Sequence, residues 1–147
     1  MNSDDYPLPP PVSPFAQYRP CRRDGRLLYV SGQVAVEGTR FVHRGRVGAE
    51  LTLAEGVASA RQCGLNVLSA ARRELGDLDR VAGVLKLTVF VSADGEFLDH
   101  HKVADGASQA ITEALGEEVG GHARSAVGVP RLPMDSPVEV EAVLLIG

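Results

Sequence analysis

Tryptophan is absent from the 147 residues, aromatic side chains make up only 5%, and there are two cysteines and two methionines. Cys21 and Cys63 form no CxxC pair, which excludes a disulfide framework and the usual zinc-ribbon spacings. Apolar runs such as Ala142 to Ile146 fall far short of the roughly 18 residues a membrane helix needs, so no membrane span is expected. Met1 is followed by Asn2, Ser3, Asp4 and Asp5, where a secretory leader requires basic and then apolar residues. The expectation is a cytoplasmic chain with two reduced thiols. His43, His100, His101 and His122 show no HExxH or comparable ligand spacing, and Ser31 lacks the Gly-x-Ser-x-Gly setting of a serine nucleophile. Neither a metal nor a cofactor is expected. A net charge of −4 with pI near 5.5 speaks against a general binder of nucleic acid or anionic membrane.

What is present is enough apolar material, 44%, for one well-packed domain. Six of the nine prolines lie in the first 20 residues; each fixes φ and removes a donor, so an extended surface arm is expected over 1–17, ahead of a single domain over 18–147. Leu27 to Val30 reads as a buried strand closed by Ser31-Gly32, and a short strand follows around Phe41 to His43. Thr52 precedes an apolar series at spacings of three and four (Leu53, Val57, Ala60, Gly64, Val67, Leu68, Ala71, Leu75), and Glu55 completes a capping-box pattern. The spacing predicts a long helix stopped at Gly76. Val81 to Val91 reads as a central strand, Glu96 to Leu115 as a second helix before a flexible 116–121 connection, and Arg124 to Val129 and Val138 to Ile146 as two final strands. The order β-β-α-β-α-β-β predicts an α+β fold in which both helices pack on one face of a single sheet. The bare face must then be polar or covered by another subunit.

Arg124 begins a strand rich in small residues, Arg124-Ser125-Ala126-Val127-Gly128-Val129. Its guanidinium can hold a planar carboxylate by two parallel charge-assisted hydrogen bonds; from the local sequence alone, a plain strand-end ion pair with a carboxylate is the default reading. Glu139 and Glu141 point to one face of their strand, about 6.6 Å apart, with Val138, Val140 and Ala142 facing the core. Such a pair can supply an acid and a base, or simply be solvated. If the last two strands formed a hairpin, Arg124 would pair near Val143, far along the strand from Glu139, and a site using both would need a neighbouring chain or another strand order. Ser31-Gly32-Gln33 offers a hydroxyl and exposed amides, or an ordinary turn. Residues 19–46 hold seven arginines against Asp24 and Glu37, a local +5, but with little aromatic interleaving for nucleic acid.

Taken together, these blocks resemble the Rid family, also called the YjgF superfamily, over residues 18 to 145. Leu28-Tyr29-Val30-Ser31-Gly32-Gln33 is similar to the family's strand ending in Ser-Gly-Gln, Gln62 to Leu68 to its helix with an internal Asn, here Asn66, and Val84 to Val91 to its central strand. The most specific blocks are Ala123-Arg124-Ser125-Ala126-Val127, Leu132-Pro133 and Val138-Glu139-Val140-Glu141-Ala142. The resemblance implies a chorismate-mutase-like fold, a homotrimer with intersubunit pockets, and hydrolysis of reactive 2-imino or 2-enamino acids to 2-oxo acids and ammonia. It further implies that Arg124 binds the substrate carboxylate, that Glu139 activates the water, and that Tyr18, Ser31, Gly32, Ser125 and Ala126 line the pocket. His122 and Ala126 stand where the archetypes have Pro and Cys, and a longer 97–124 segment places their pocket Asn near His101 or Asp105. A non-catalytic binder or sensor of small carboxylates, and an endoribonuclease, are the other functions that this sequence leaves open.

Overall fold

The computed structural model describes residues 5–147; the leader reading at Met1 to Asp4 and the first four residues of the arm lie outside them. Seven strands and two long helices follow in the order β1 (Cys21–Asp24), β2 (Leu27–Val34), β3 (Val36–Glu37), β4 (Arg40–Phe41), α1 (Leu53–Leu75), β5 (Val81–Ser92), α2 (His100–Gly120), β6 (Ala123–Val129) and β7 (Val138–Ile146). Five strands make one mixed sheet in the order β1-β2-β7-β5-β6, with β6 parallel to β5 and the other pairs antiparallel. The fold is α+β, with one mixed sheet and two helices.

α1 forms where its pattern predicts. Thr52 Oγ1 accepts from the Glu55 amide at 3.1 Å, Glu55 Oε1 accepts from the Thr52 amide at 3.0 Å, and Gly76 ends the helix in the left-handed region at φ 83°. Ala60, Cys63, Val67, Leu68 and Ala71 are buried in the common core with Leu87, Val89, Val140 and Leu144. Burial of each such leucine or valine contributes about 1.5–3 kcal/mol.

The structure departs from the sequence reading at five points. The edge strand β1 is absent from the sequence reading because Cys-Arg-Arg-Asp has no apolar alternation; an edge strand needs a partner on one side only, and exposed charge there discourages further pairing. The strand expected around Phe41 to His43 shrinks to Arg40–Phe41, which pairs with Val36–Glu37 outside the main sheet. The second helix starts at His100, because Asp94 turns the chain by accepting from the Glu96 amide at 2.8 Å. It breaks at Gly116 (φ 82°), but a further turn, not a loose connection, follows to Gly120. Finally, β6 and β7 are no hairpin: β7 runs between β2 and β5, and β6 lies on the far side of β5.

The proline-rich arm lies against the domain. Tyr6 and Leu8 pack on the core, the Pro9 carbonyl accepts from Ser69 Oγ at 2.6 Å, and the Tyr6 hydroxyl joins the Arg61–Glu113 ion pair, itself 2.7 Å long. On α1, fully buried Asn66 donates to the carbonyls of Val34 and Val36 at 3.1 and 2.8 Å and accepts from Gln62. It thereby satisfies the backbone where β2 leaves the sheet. Asn66→Ala strands both carbonyls, and we expect it to lower the unfolding free energy by about 2–3 kcal/mol in urea titrations; a loss below about 0.5 kcal/mol would contradict this role.

Candidate functional site

The Ser31-Gly32 pair occupies a β-bulge. Between the partners Val30↔Ala142 and Gln33↔Val140, β2 advances three residues while β7 moves two. The extra residue turns this stretch toward the arm: the Ser31 amide donates to the Pro20 carbonyl at 2.8 Å and Ser31 Oγ to the Arg19 carbonyl at 2.6 Å. With its proton so engaged, Ser31 offers a ligand lone pairs only. These two bonds hold the arm close to the sheet just after Tyr18. A Cβ at Gly32 would lie 2.8 Å from Glu139 Cδ and Oε1, so only glycine lets the carboxylate fold over the β2 backbone.

Glu139 and Glu141 do share a face. They lie beside Phe90 and Thr88 of β5 on the side away from the helices, whereas Val138, Val140 and Ala142 are buried beneath α1 and α2. A cleft of about 470 Å³ opens there, walled by Val12 to Ala16 and Tyr18 of the arm, Ser31 to Val34, Phe90, Pro133, Met134, Glu139 and Glu141. Tyr18, Ser31, Gly32 and Glu139 therefore converge on one cavity. The Glu139 carboxylate accepts no hydrogen bond among the described residues, and its pKa is raised, first by burial and then by the like charge of Glu141. The cleft combines apolar walls with two carboxylates and no cationic side chain, which suits a proton acceptor beside a positively polarised carbon.

Arg124, Ser125 and Ala126 are not among the residues lining this cleft. Arg124 is level with Leu87 of β5, itself level with Ala142, two strands and three residues away from Glu139. Strand geometry separates the two Cα atoms by about 14 Å. They also face opposite sides of the sheet: the Arg124 side chain turns to α2, where Nη1 donates to Asp105 Oδ1 at 2.9 Å and to Ser108 Oγ at 3.0 Å, and Nη2 donates to the His101 carbonyl at 3.1 Å. The ion-pair role is thus realised within the chain. Asp105 is half exposed, and such pairs contribute about 0.2–1 kcal/mol. Three of the five guanidinium N–H groups are engaged, which leaves two, as many as a carboxylate takes.

Sequence reasoning missed Phe90, Phe15 and Met134 as cleft walls and Ser108 as a partner of Arg124. Phe90 was legible from the alternation Leu87, Val89, Val91, which puts it on the opposite face; nothing local marked Met134 or Ser108. His101 and Asp105, indicated by the longer segment, both reach Arg124. The arginine-rich stretch is dispersed: Arg22 and Arg23 lie on the sheet edge, Arg26 donates to the Ile146 carbonyl, and Arg44 stacks on Phe41. Burial, helped by Glu74, pushes the Cys21 thiol up to about 12, and burial, with Glu139 adding, raises Cys63 well above the ordinary thiol range. Neither is a ready nucleophile. Among the described residues no cluster of His, Cys, Asp and Glu could hold a metal, and no helix is long and apolar enough to cross a membrane.

A mixed sheet backed on one side by two helices, with a carboxylate cleft on the other, defines a chorismate-mutase-like α+β protein. The profile described as "YjgF/chorismate_mutase-like, putative endoribonuclease" matches residues 4–144, and the chain belongs to that family. Protein TCP17 of Trypanosoma cruzi is 45% identical over 137 residues, 93% of this chain and 86% of that protein. The crystal structure of Atu1372 from Agrobacterium tumefaciens, a protein described as of unknown function, is 39% identical with a TM-score of 0.86, covering 89% of this chain and 83% of that one. A structure from Shewanella oneidensis, titled "putative endoribonuclease", is 28% identical with a TM-score of 0.91, covering 95% and 92%.

Glu139 binds its proton more tightly in the folded than in the unfolded chain. Its ionisation therefore costs no stability below the unfolded carboxyl pKa and costs progressively more as pH rises through the folded value. Glu139→Gln removes that cost. We expect its gain in urea midpoint over the wild type to grow between about pH 4 and about pH 7; a gain that shrinks over that range would contradict the raised pKa.

Proposed function

We propose that the chain is an imine deaminase, hydrolysing 2-imino or 2-enamino acids to 2-oxo acids and ammonia in the cytosol, and that it works as a homotrimer with pockets between subunits. The observation that carries this reading is Glu139: a carboxylate with a raised pKa and no hydrogen-bond donor, seated in an apolar cleft with Tyr18 and Ser31. Water adds through its oxygen to the imine carbon while the C=N π pair moves to nitrogen and a water proton passes to Glu139. That proton then goes to nitrogen, giving the amino alcohol; Glu139 next takes the hydroxyl proton and passes it to the amino nitrogen, and the C–N bond breaks with its electron pair on nitrogen, releasing ammonia as the ketone forms. An imine carbon is already electrophilic, so holding the substrate and shuttling the water's protons to nitrogen suffice. A raised carboxyl pKa serves this work because it lies nearer the operating pH.

The subunit arrangement follows from distance and direction. One small imino acid cannot touch Glu139 and Arg124 of the same chain, about 14 Å apart on opposite faces. A neighbouring copy can supply the second group, its Arg124 taking the substrate carboxylate with the two N–H groups left over. The open sheet face supports this reading, for Tyr29 and Val127 are exposed there at 47% and 42% beside Val143 and Phe90. The two cysteines, unpaired and buried, suit a reducing cytosol.

Binding without turnover is the second reading, favoured by the tethering of Arg124 to its own chain and by His122 and Ala126 in place of the archetypal Pro and Cys. The endoribonuclease reading draws on the printed family description and on Arg22 and Arg23 at the sheet edge. RNA cleavage that survives neutralisation of Arg22, Arg23 and Arg26 would remove that patch from the account.

An amino-acid oxidase generating the imine in situ, with its decay followed with and without the protein, tests the deaminase. We expect Glu139→Gln to lower the catalysed rate about 100-fold or more and Arg124→Ala to lower kcat/KM at least about 10-fold. No acceleration over buffer, together with binding of 2-oxo acids, would favour the binder. Sedimentation should give a trimer; a monomer that retained full activity would refute the shared pocket.

A further inference from the structure

His122 stands at the entry to β6, two residues before Arg124, and its ring is held at both nitrogens. Nδ1 lies 2.6 Å from the Gly120 carbonyl oxygen; a carbonyl has no proton to give, so Nδ1 carries the hydrogen and donates it. In the neutral ring Nε2 is then a bare lone pair, and it lies 2.8 Å from Ser108 Oγ. The Ser108 proton therefore points to His122, which leaves the hydroxyl lone pairs for Arg124 Nη1 at 3.0 Å. With Asp105 taking the other Nη1 proton and the His101 carbonyl one from Nη2, the plane of the guanidinium is fixed at three points.

We propose that His122 is a positioning residue for Arg124: acting through Ser108, it fixes the guanidinium so that the two unengaged N–H groups form one defined fork. Its use to a ligand rests on the reading of Arg124 as a carboxylate anchor. An arginine side chain has many rotamers, and ordering them on binding weakens affinity unless the free protein has already done so. Without Ser108, Nη1 keeps only the half-exposed Asp105 carboxylate, attached by one oxygen, and Nη2 only the His101 carbonyl. Ser108 supplies the second point on Nη1, and its hydroxyl accepts there because His122 has taken its proton. A histidine at this position thus does by hydrogen bonding what a proline cannot.

Nuclear magnetic resonance of the 15N-labelled full-length protein tests this without a ligand. The neutral ring of His122 should show the Nδ1–H tautomer. Rotation of the Arg124 guanidinium about its Nε–Cζ bond should be slow in the wild type, faster in Ser108→Ala and His122→Phe, and slow again in His122→Gln, whose side-chain oxygen can accept from Ser108. With 2-oxobutyrate as the probe, Ser108→Ala and His122→Phe should bind about tenfold more weakly than the wild type, and His122→Gln within about twofold. An Nε2–H tautomer, or Arg124 rotation unchanged in Ser108→Ala, overturns the proposal. If the wild type binds no 2-oxobutyrate while Arg124 still follows Ser108 and His122, the carboxylate anchor falls and the hold on Arg124 stands.

Discussion

The rest of the molecule depends on β7 lying in the middle of the sheet, hydrogen-bonded to β2 on one side and to β5 on the other. A strand in that place has no freedom to rotate or slip. Val138, Val140, Ala142, Leu144 and Ile146 are all buried under the helices, and a shift of one residue would exchange them for Glu139 and Glu141. The burial of five apolar side chains thereby holds two carboxylates on the opposite face. Their direction is a consequence of the core, and no local feature of the site is needed to set it.

From that constraint the cleft is assembled by additions on the far face. The bulge in β2 sets Ser31 and Gly32 between the Ala142 and Val140 pairs, and the missing side chain at Gly32 leaves room for the Glu139 carboxylate. Ser31 ties down the arm at Arg19 and Pro20, while Tyr6 and Pro9 tie its earlier part to α1 and α2. An extended chain with few backbone donors makes a wall in this way without joining the sheet. Burial in this cleft, which Phe15, Phe90 and Met134 help to wall, disfavours the ionised form of Glu139, and the like charge of Glu141 adds to it.

Arg124 is placed by a different logic. It stands on the sheet edge opposite β1, where the parallel register with β5 turns it toward α2, and its three hydrogen-bond partners all come from that helix. The acidic cleft and the guanidinium therefore lie on opposite faces of one sheet. In the subunit arrangement we propose, each of the two groups is already rigid before the chains meet.

Much of this was legible in the order of residues. Period-two alternation in 138–146 gave β7 its two faces, period 3.6 with Thr52 and Glu55 gave α1 its length and start, and the ordered blocks around Ser31, Asn66, Arg124 and Glu139 indicated the family and its fold. These are local or pattern-level properties, set by the geometry of one element and by what it must bury. Strand order, the charged edge strand β1, the extra turn after Gly116 and the partners of Arg124 were not legible, because each depends on which segments meet across the chain. Ser108 is an ordinary helical serine until β6 lies beside α2, and Met134 is an ordinary loop residue until the arm closes the cleft. The sequence by itself determined which side chains share a face and which faces are buried; only the tertiary structure decided which faces meet, because that choice belongs to the packing of the whole sheet and not to any one strand or helix.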